Sequence, residues 1–282
     1  MLLRLPTASI LCGMPSPHPL GAYLRARREL LSPADVGLPE GSGTRRVAGL
    51  RRSEVAQLAG ISAEYYVKLE QGREANPTNQ VLDALSRALQ LDATARSYLH
   101  SLVHPPERRI APVSPPGIER ARWLIDSWPM TAAMILTRHN DVVATNSLMN
   151  SLVPSYQVGT NALVSLLLDP KLREFYLEWE GLSTRSIGLM RAQVALDPDR
   201  VRGQQLVVQL TRESPLFRQI WNRHDIAGLA DGEHPMRHPT VGELALHYAH
   251  HPLVGTDSHW IFLYYAEPGT DSERALARLA GR

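Results

Sequence analysis

Ser62, Ala63, Glu64, Tyr65 and Lys68 stand together in the stretch RRSEVAQLAGISAEYYVKLEQG, residues 51–72, just after a glycine and an isoleucine. A hydroxyl, a methyl, a carboxylate, a phenol and an ammonium on one short helix are groups that can read base edges in the major groove of DNA. Arg45, Arg46, Arg52 and Arg73 lie on either side of them. Guanidinium groups fit phosphate oxygens, so these arginines would fix the register on the duplex while the helix reads it. Taken singly, each arginine reads as a solvated helix face. Their grouping around one helix is what points to double-stranded DNA as a partner.

The 11 histidines are the other chemical resource of the chain. His247, His250 and His251 are close in sequence, but along a strand they alternate faces and cannot all converge on a metal. The chain has no His-Glu-x-x-His, no Gly-x-Ser-x-Gly and no phosphate loop, and GSGTRR at 41–46 lacks the third glycine of a dinucleotide site. Acid–histidine pairs therefore read as structural hydrogen bonds. The expectation is a binding protein, not an enzyme, with no cofactor and no metal.

The elements that position the DNA-facing residues follow from spacing. Val55, Ala56, Leu58 and Ala59 would line the inner face of one helix, Gly60 allows a positive backbone angle at the turn, and Ile61 fills the angle. Tyr66 and Leu69 continue the core along the second helix. This is a helix-turn-helix pattern, and it resembles the lambda repressor/Cro-like class of DNA-binding domains. Leu20, Leu24 and Leu31 give a preceding helix. Asn76-Pro77-Thr78 starts another, carried by Val81, Leu82, Leu85 and Leu89. Asp92 opens a fifth, with Ala95, Tyr98, Leu99 and Leu102. The reading is an all-α five-helix domain over 19–103.

Length and charge indicate a second domain. With 282 residues, 44% apolar and 21% charged, the chain is long enough for two globular bodies. Residues 1–112 hold 14 Lys+Arg against 10 Asp+Glu and the remainder 16 against 18, so net positive charge accompanies the helix-turn-helix half. The single Cys12 cannot form an internal disulfide, and no apolar run reaches the ~18 residues needed to span a bilayer. A cytoplasmic location without membrane partners is expected. Residues 1–18, interrupted by Pro6 and lacking an Ala-x-Ala site, read as a disordered extension and not as a secretion signal. Five prolines between 104 and 119 read as a semi-rigid linker.

From 120 to 282 both periodicities occur. Residues 130–137 and 141–145 flank Arg138-His139-Asn140 as an antiparallel hairpin. Asn146, Asn161, Asp169-Pro170 and Ser214-Pro215 are helix starts, and residues 172–195 carry apolar side chains at helical spacing. Strands are expected at 224–229, 241–249 and 258–266, and Asp271 or Ser272 would cap a closing helix. The fold class is α+β, with an antiparallel sheet.

The stretches NALVSLLLDPKLREFYLEWE, LVVQLTRESPLFRQIWNRHDI and MRHPTVGELALHY resemble the carboxy-terminal domain of MmyB-type helix-turn-helix regulators, and LGAYLRARRELLSPADVGLP agrees. Thr240, where a second aliphatic residue is usual, and the histidine-rich HYAHH depart from that pattern. The resemblance implies a PAS-like sensor domain and a small, fatty-acid-like effector. A buried carboxylate needs a cation or several donors. Arg191, Arg173, His224 and His238 are such groups set among apolar stretches, and Phe217 and Trp221 could wall a tunnel. On this reading Trp123, Trp128, Trp179 and Trp221 surround a closed cavity. If the second domain instead docks a protein without a metabolite, an exposed apolar patch is expected. Helix-turn-helix geometry further implies a homodimer on an inverted repeat.

Overall fold

The computed structural model describes residues 19–39, 49–104, 115–196, 200–254, 256 and 259–281. The chain divides into two compact units between Leu91 and Asp92.

In the first unit, helices α1 (Pro19–Leu30), α2 (Arg52–Ala59), α3 (Ala63–Glu70) and α4 (Asn79–Ala88) surround a core that includes Leu20, Tyr23, Leu24, Val55, Tyr66, Leu69, Leu82 and Leu85. Gly60 has φ +66° and ends α2, and the Ser62 hydroxyl accepts from Tyr65 N–H to start α3, so the turn is fixed at both sides. Leu58 departs from expectation and is 37% exposed. The buried stripe of α2 runs through Val55, Ala56 and Ala59, and a residue at i+3 from Val55 falls on its flank. At Gly21 an added Cβ would lie 2.3 Å from the Glu70 carbonyl oxygen, so α1 meets the end of α3 at backbone distance. Thr78 caps α4 through Val81 N–H.

The second unit begins with α5 (Ala93–Val103), capped by Asp92 as its sequence suggests. Read from sequence as the fifth helix of the first domain, α5 groups with this unit and packs on the long helix α10 (Trp179–Leu196). Helix α6 (Pro115–Asp126) leads to β1 (Ala132–Leu136) and β2 (Val142–Thr145), the expected hairpin. Helices α7 (Ser147–Leu152), α8 (Ala162–Leu168) and α9 (Pro170–Phe175) follow, started by Asn146, Asn161 and Asp169. After α10 come α11 (Arg200–Glu213), α12 (Pro215–Arg223), β3 (Gly232–His238), β4 (Gly242–Pro252), β5 (Trp260–Tyr265) and α13 (Asp271–Leu279). Thr270, one residue before the expected cap, accepts from Glu273 N–H to start α13.

The sheet is antiparallel throughout, in the order β2-β1-β5-β4-β3. Every residue of β1 is buried. Ala132, Met134 and Leu136 belong to the main core with α7 to α13, while Ala133 and Ile135 pack with Ala121 and Ile125 of α6. Asn146 joins these layers. Its Oδ1 accepts from Ala133 and Met149 N–H, and its Nδ2 donates to the Ile125 and Thr131 carbonyls.

Two expectations fail for tertiary reasons. Residues 224–229 are not a strand, because this segment is held on α10, where a Cβ on Gly188 would lie 2.9 Å from the Ala227 nitrogen. The fifth strand is β3, GEHPMRH, on the sheet edge. The run 172–195 is not one helix either. Tyr176 leaves helical geometry to bridge Met236, and Leu177 N–H donates to the Pro235 carbonyl at 3.0 Å, before α10 starts at Trp179. On the opposite edge Val142 N–H donates to Thr160 O at 2.8 Å and Gly159 N–H donates to Val142 O at 2.9 Å.

Candidate functional site

The second unit holds a partly open cavity of about 110 Å³ between the sheet and helices α8 and α10, with the segment 228–230 at its side. Met134, Leu136, Leu163, Leu166, Leu182, Leu189 and Phe262 supply apolar walls, and Tyr156, Arg185, His234, Tyr248, His250 and Tyr264 supply polar groups. Three tyrosine hydroxyls form a chain that ends on an imidazole. Tyr156 Oη lies 3.2 Å from Tyr176 Oη, which lies 3.2 Å from Tyr264 Oη, which lies 2.9 Å from His234 Nδ1. Burial pushes all three hydroxyls well above the usual phenol range, so they remain protonated. His234 is 5% exposed and stacks on Tyr248, with ring centroids 4.0 Å apart. Burial, together with the Arg185 charge and His250, lowers its pKa to about 3 and keeps the ring neutral. Among the described residues its Nε2 has no hydrogen-bond partner.

In the first unit α3 presents Ala63, Glu64 and Lys68 to solvent, and Tyr65 is half-buried. Glu64 and Lys68 form an ion pair at 2.9 Å, which holds the Glu64 carboxyl below the usual carboxylate range. Behind this face Glu70, with its side chain 1% exposed, accepts from Arg28 Nε and Arg52 Nε, each at 2.6 Å. Arg28 Nη1 also donates to the Leu50 carbonyl at 2.8 Å. The carboxylate thus ties α1, α2 and α3 together beneath the exposed residues.

Residues 119–279 match the family described as the MmyB-like transcription regulator ligand binding domain. The chain belongs to the MmyB-like transcription regulators. Residues 19–99 match a helix-turn-helix domain, so the DNA-binding half and the ligand-binding half are both present. No curated protein matches the chain.

In this MmyB-like regulator the DNA-facing residues expected from sequence fall into three groups. Ala63, Glu64, Lys68 and Arg73 are exposed on or after α3. Ser62 and Arg52 have structural work as well, as N-cap and as Glu70 partner. Arg45 and Arg46 lie outside the described residues.

None of the six residues expected to hold the ligand lines the cavity. Arg191 is buried, with its guanidinium 3.9 Å over the Trp221 ring and bonded to the Trp221 carbonyl and to His224 Nδ1. Phe217 stacks on that indole with centroids 5.1 Å apart. His238 Nε2 faces the Ser151 carbonyl at 3.1 Å, its Nδ1 accepts from Thr240 N–H, and Arg173 is exposed above Trp179. These polar groups bond to the protein itself. Nor does any tryptophan line the cavity, and Trp123 is 70% exposed. Sequence reading missed the tyrosine–histidine chain because its members come from four separated segments with no shared spacing. Among the described residues no group of three or more His, Cys, Asp or Glu could hold a metal ion, and no helix is long and apolar enough to cross a membrane.

Two imidazoles, His234 buried and His224 half-buried, set an acid limit on the second unit. His224, beside Arg191, has its pKa lowered to about 4 by burial and that charge, and His234 has its pKa lowered to about 3. Both lie below the ordinary value near 6.5, so the stability they contribute is complete above that pH and is lost as pH falls toward 4 and 3. Each adds a slope of about 1.4 kcal/mol per pH unit across that window. Urea unfolding of the second unit should move to lower midpoints between pH 6.5 and 4.5, and His234→Phe should flatten the trend. Identical pH profiles for the two proteins would contradict the assignment.

Proposed function

We propose that this MmyB-like regulator binds an inverted DNA repeat as a homodimer in the cytoplasm and is controlled by a small amphipathic, fatty-acid-like effector held in the cavity of a PAS-like second domain. The observation that carries this reading is the largely apolar, partly open cavity between sheet and helices, with a few convergent polar groups. Helix α5 supports a route from effector to DNA. It packs on α10, Thr94 fills the space beside Gly228 at the cavity wall, and α5 follows α4 after a short connection. An effector acts only through different affinities for two arrangements of the reading heads, and α5 is placed to bias them.

The DNA half is tested by selection from random sequence, which should return half-sites whose centres lie about 34 Å or a multiple apart. Lys68→Ala should flatten sequence preference, while Arg52→Ala should weaken all sequences alike and reduce the salt slope by about one. A single asymmetric half-site would count against the dimer. The effector half is tested by thermal shift. A ligand at about 100 times its Kd should add roughly 2.7 kcal/mol to the stability of the second unit. Trp123 and Leu124, 70% and 47% exposed on α6, favour protein docking as a second reading, which stands if no ligand of any class produces a shift.

A further inference from the structure

The hydroxyl chain beneath the cavity has a direction. Tyr176 and Tyr264 each sit between two partners, and each bonds both without a leftover hydroxyl proton only when it donates once and accepts once. If the chain points away from His234, the Tyr156 hydroxyl is left to find an acceptor and Nε2 to find a donor. If it points toward His234, Tyr156 donates to Tyr176, Tyr176 to Tyr264 and Tyr264 to Nδ1, which leaves one unmet group, the Nε2–H. The second arrangement leaves fewer buried groups unsatisfied and fixes the Nε2–H tautomer. His234 and Tyr264 both line the cavity.

We propose that the effector presents a neutral carbonyl oxygen, of the ester, ketone or lactone class, to the Nε2–H of His234, with its apolar remainder against the leucine and phenylalanine walls. The proposal rests on the reading of this cavity as the effector site. A neutral imidazole supplies a donor without a charge, and burying a carboxylate against it would cost far more than the one hydrogen bond returns. The single guanidinium among the described lining residues, Arg185, is exposed, so the buried anchor on offer is the Nε2–H and not a buried cation. A cavity of about 110 Å³ is small beside typical ligand clefts of roughly 300 Å³ or more, which favours a short chain.

The test compares γ-octalactone and methyl octanoate with sodium octanoate at pH 8 on the full chain, by thermal shift and calorimetry. The lactone or the ester should bind at least about tenfold more tightly than the octanoate anion. His234→Phe, which can still stack on Tyr248, should lose about tenfold in affinity, while His234→Gln, which keeps a donor, should recover part of it. Tyr264→Phe should weaken binding as well, because it removes the hydroxyl that sets the tautomer. Octanoate binding as tightly as the neutral compounds, or unchanged affinity in His234→Phe, would overturn the carbonyl assignment and leave the cavity as the effector site. If neither the neutral compounds nor the anion bound and the purified protein carried no lipid, the cavity reading would fall together with the proposal.

Discussion

Glu70→Ala is expected to lower the stability of the DNA-binding unit by about 3–5 kcal/mol, the usual cost of leaving a buried charge without its partner. The carboxylate is 1% exposed and Arg28 is 6% exposed, so truncation leaves the buried guanidinium only the Leu50 carbonyl and the looser pair with Glu29 at 3.4 Å, which places the loss toward the lower end of that range. It also frees Arg52 and loosens the junction at which Gly21 of α1 touches the Glu70 backbone. Arg52→Ala should cost under about 1 kcal/mol, because that arginine is 47% exposed and Arg28 remains to pair the acid. Urea titration of the full chain, followed by helicity and operator binding, separates the two. An unchanged first transition in Glu70→Ala would mean that the network is an ornament of the fold and not its clamp.

Asn146→Leu should be nearly as damaging in the second unit, by roughly 3–4 kcal/mol. Three backbone groups, on Thr131, Ala133 and Met149, would lose this partner at once, and the Ile125 carbonyl would keep only Trp128 N–H, in a largely buried setting where each unsatisfied group costs about 1–3 kcal/mol before relaxation. The side chains have similar volume, so the loss reports hydrogen bonding and not a cavity. Asn146→Asp keeps the two acceptor bonds but turns a carboxylate oxygen toward the Ile125 and Thr131 carbonyls in a buried site, so it should cost at least as much as Asn146→Leu. If Asn146→Leu melted with the unsubstituted protein, the junction of α6, β1 and α7 would have to be held by apolar packing alone.

These two residues also mark how far the sequence is readable. A helix cap is a local event, so Asn146, Asn161, Asp169 and Ser214 could each be placed from a few neighbours, as could Gly60 and the two helices it joins. The further bonds of Asn146, and the role of Glu70, depend on groups 13 to 42 residues away. The same holds for β3. Its proline and two histidines look unlike a strand, and only its position on the sheet edge makes Pro235 acceptable there. Tyr176 has a helical neighbourhood in sequence, yet its hydroxyl bonds and the bridge to Met236 outweigh helix propensity. The cavity residues escaped notice for that reason. The charged groups set among apolar runs, Arg191 above all, are consumed by internal contacts.

The two outer strands of the sheet bear on how copies of this protein can associate. An uncovered strand offers a row of donors and acceptors on which another chain can grow, and such growth need not stop at two. Here part of each border is occupied by the chain itself: Leu177 bonds to Pro235 in the middle of β3, whose ring removes a donor from that rim, and the backbone of residues 159–160 pairs with Val142 at the start of β2. Self-association by strand addition is disfavoured at both rims. At these positions the sheet offers no free template on which open-ended strand addition could start.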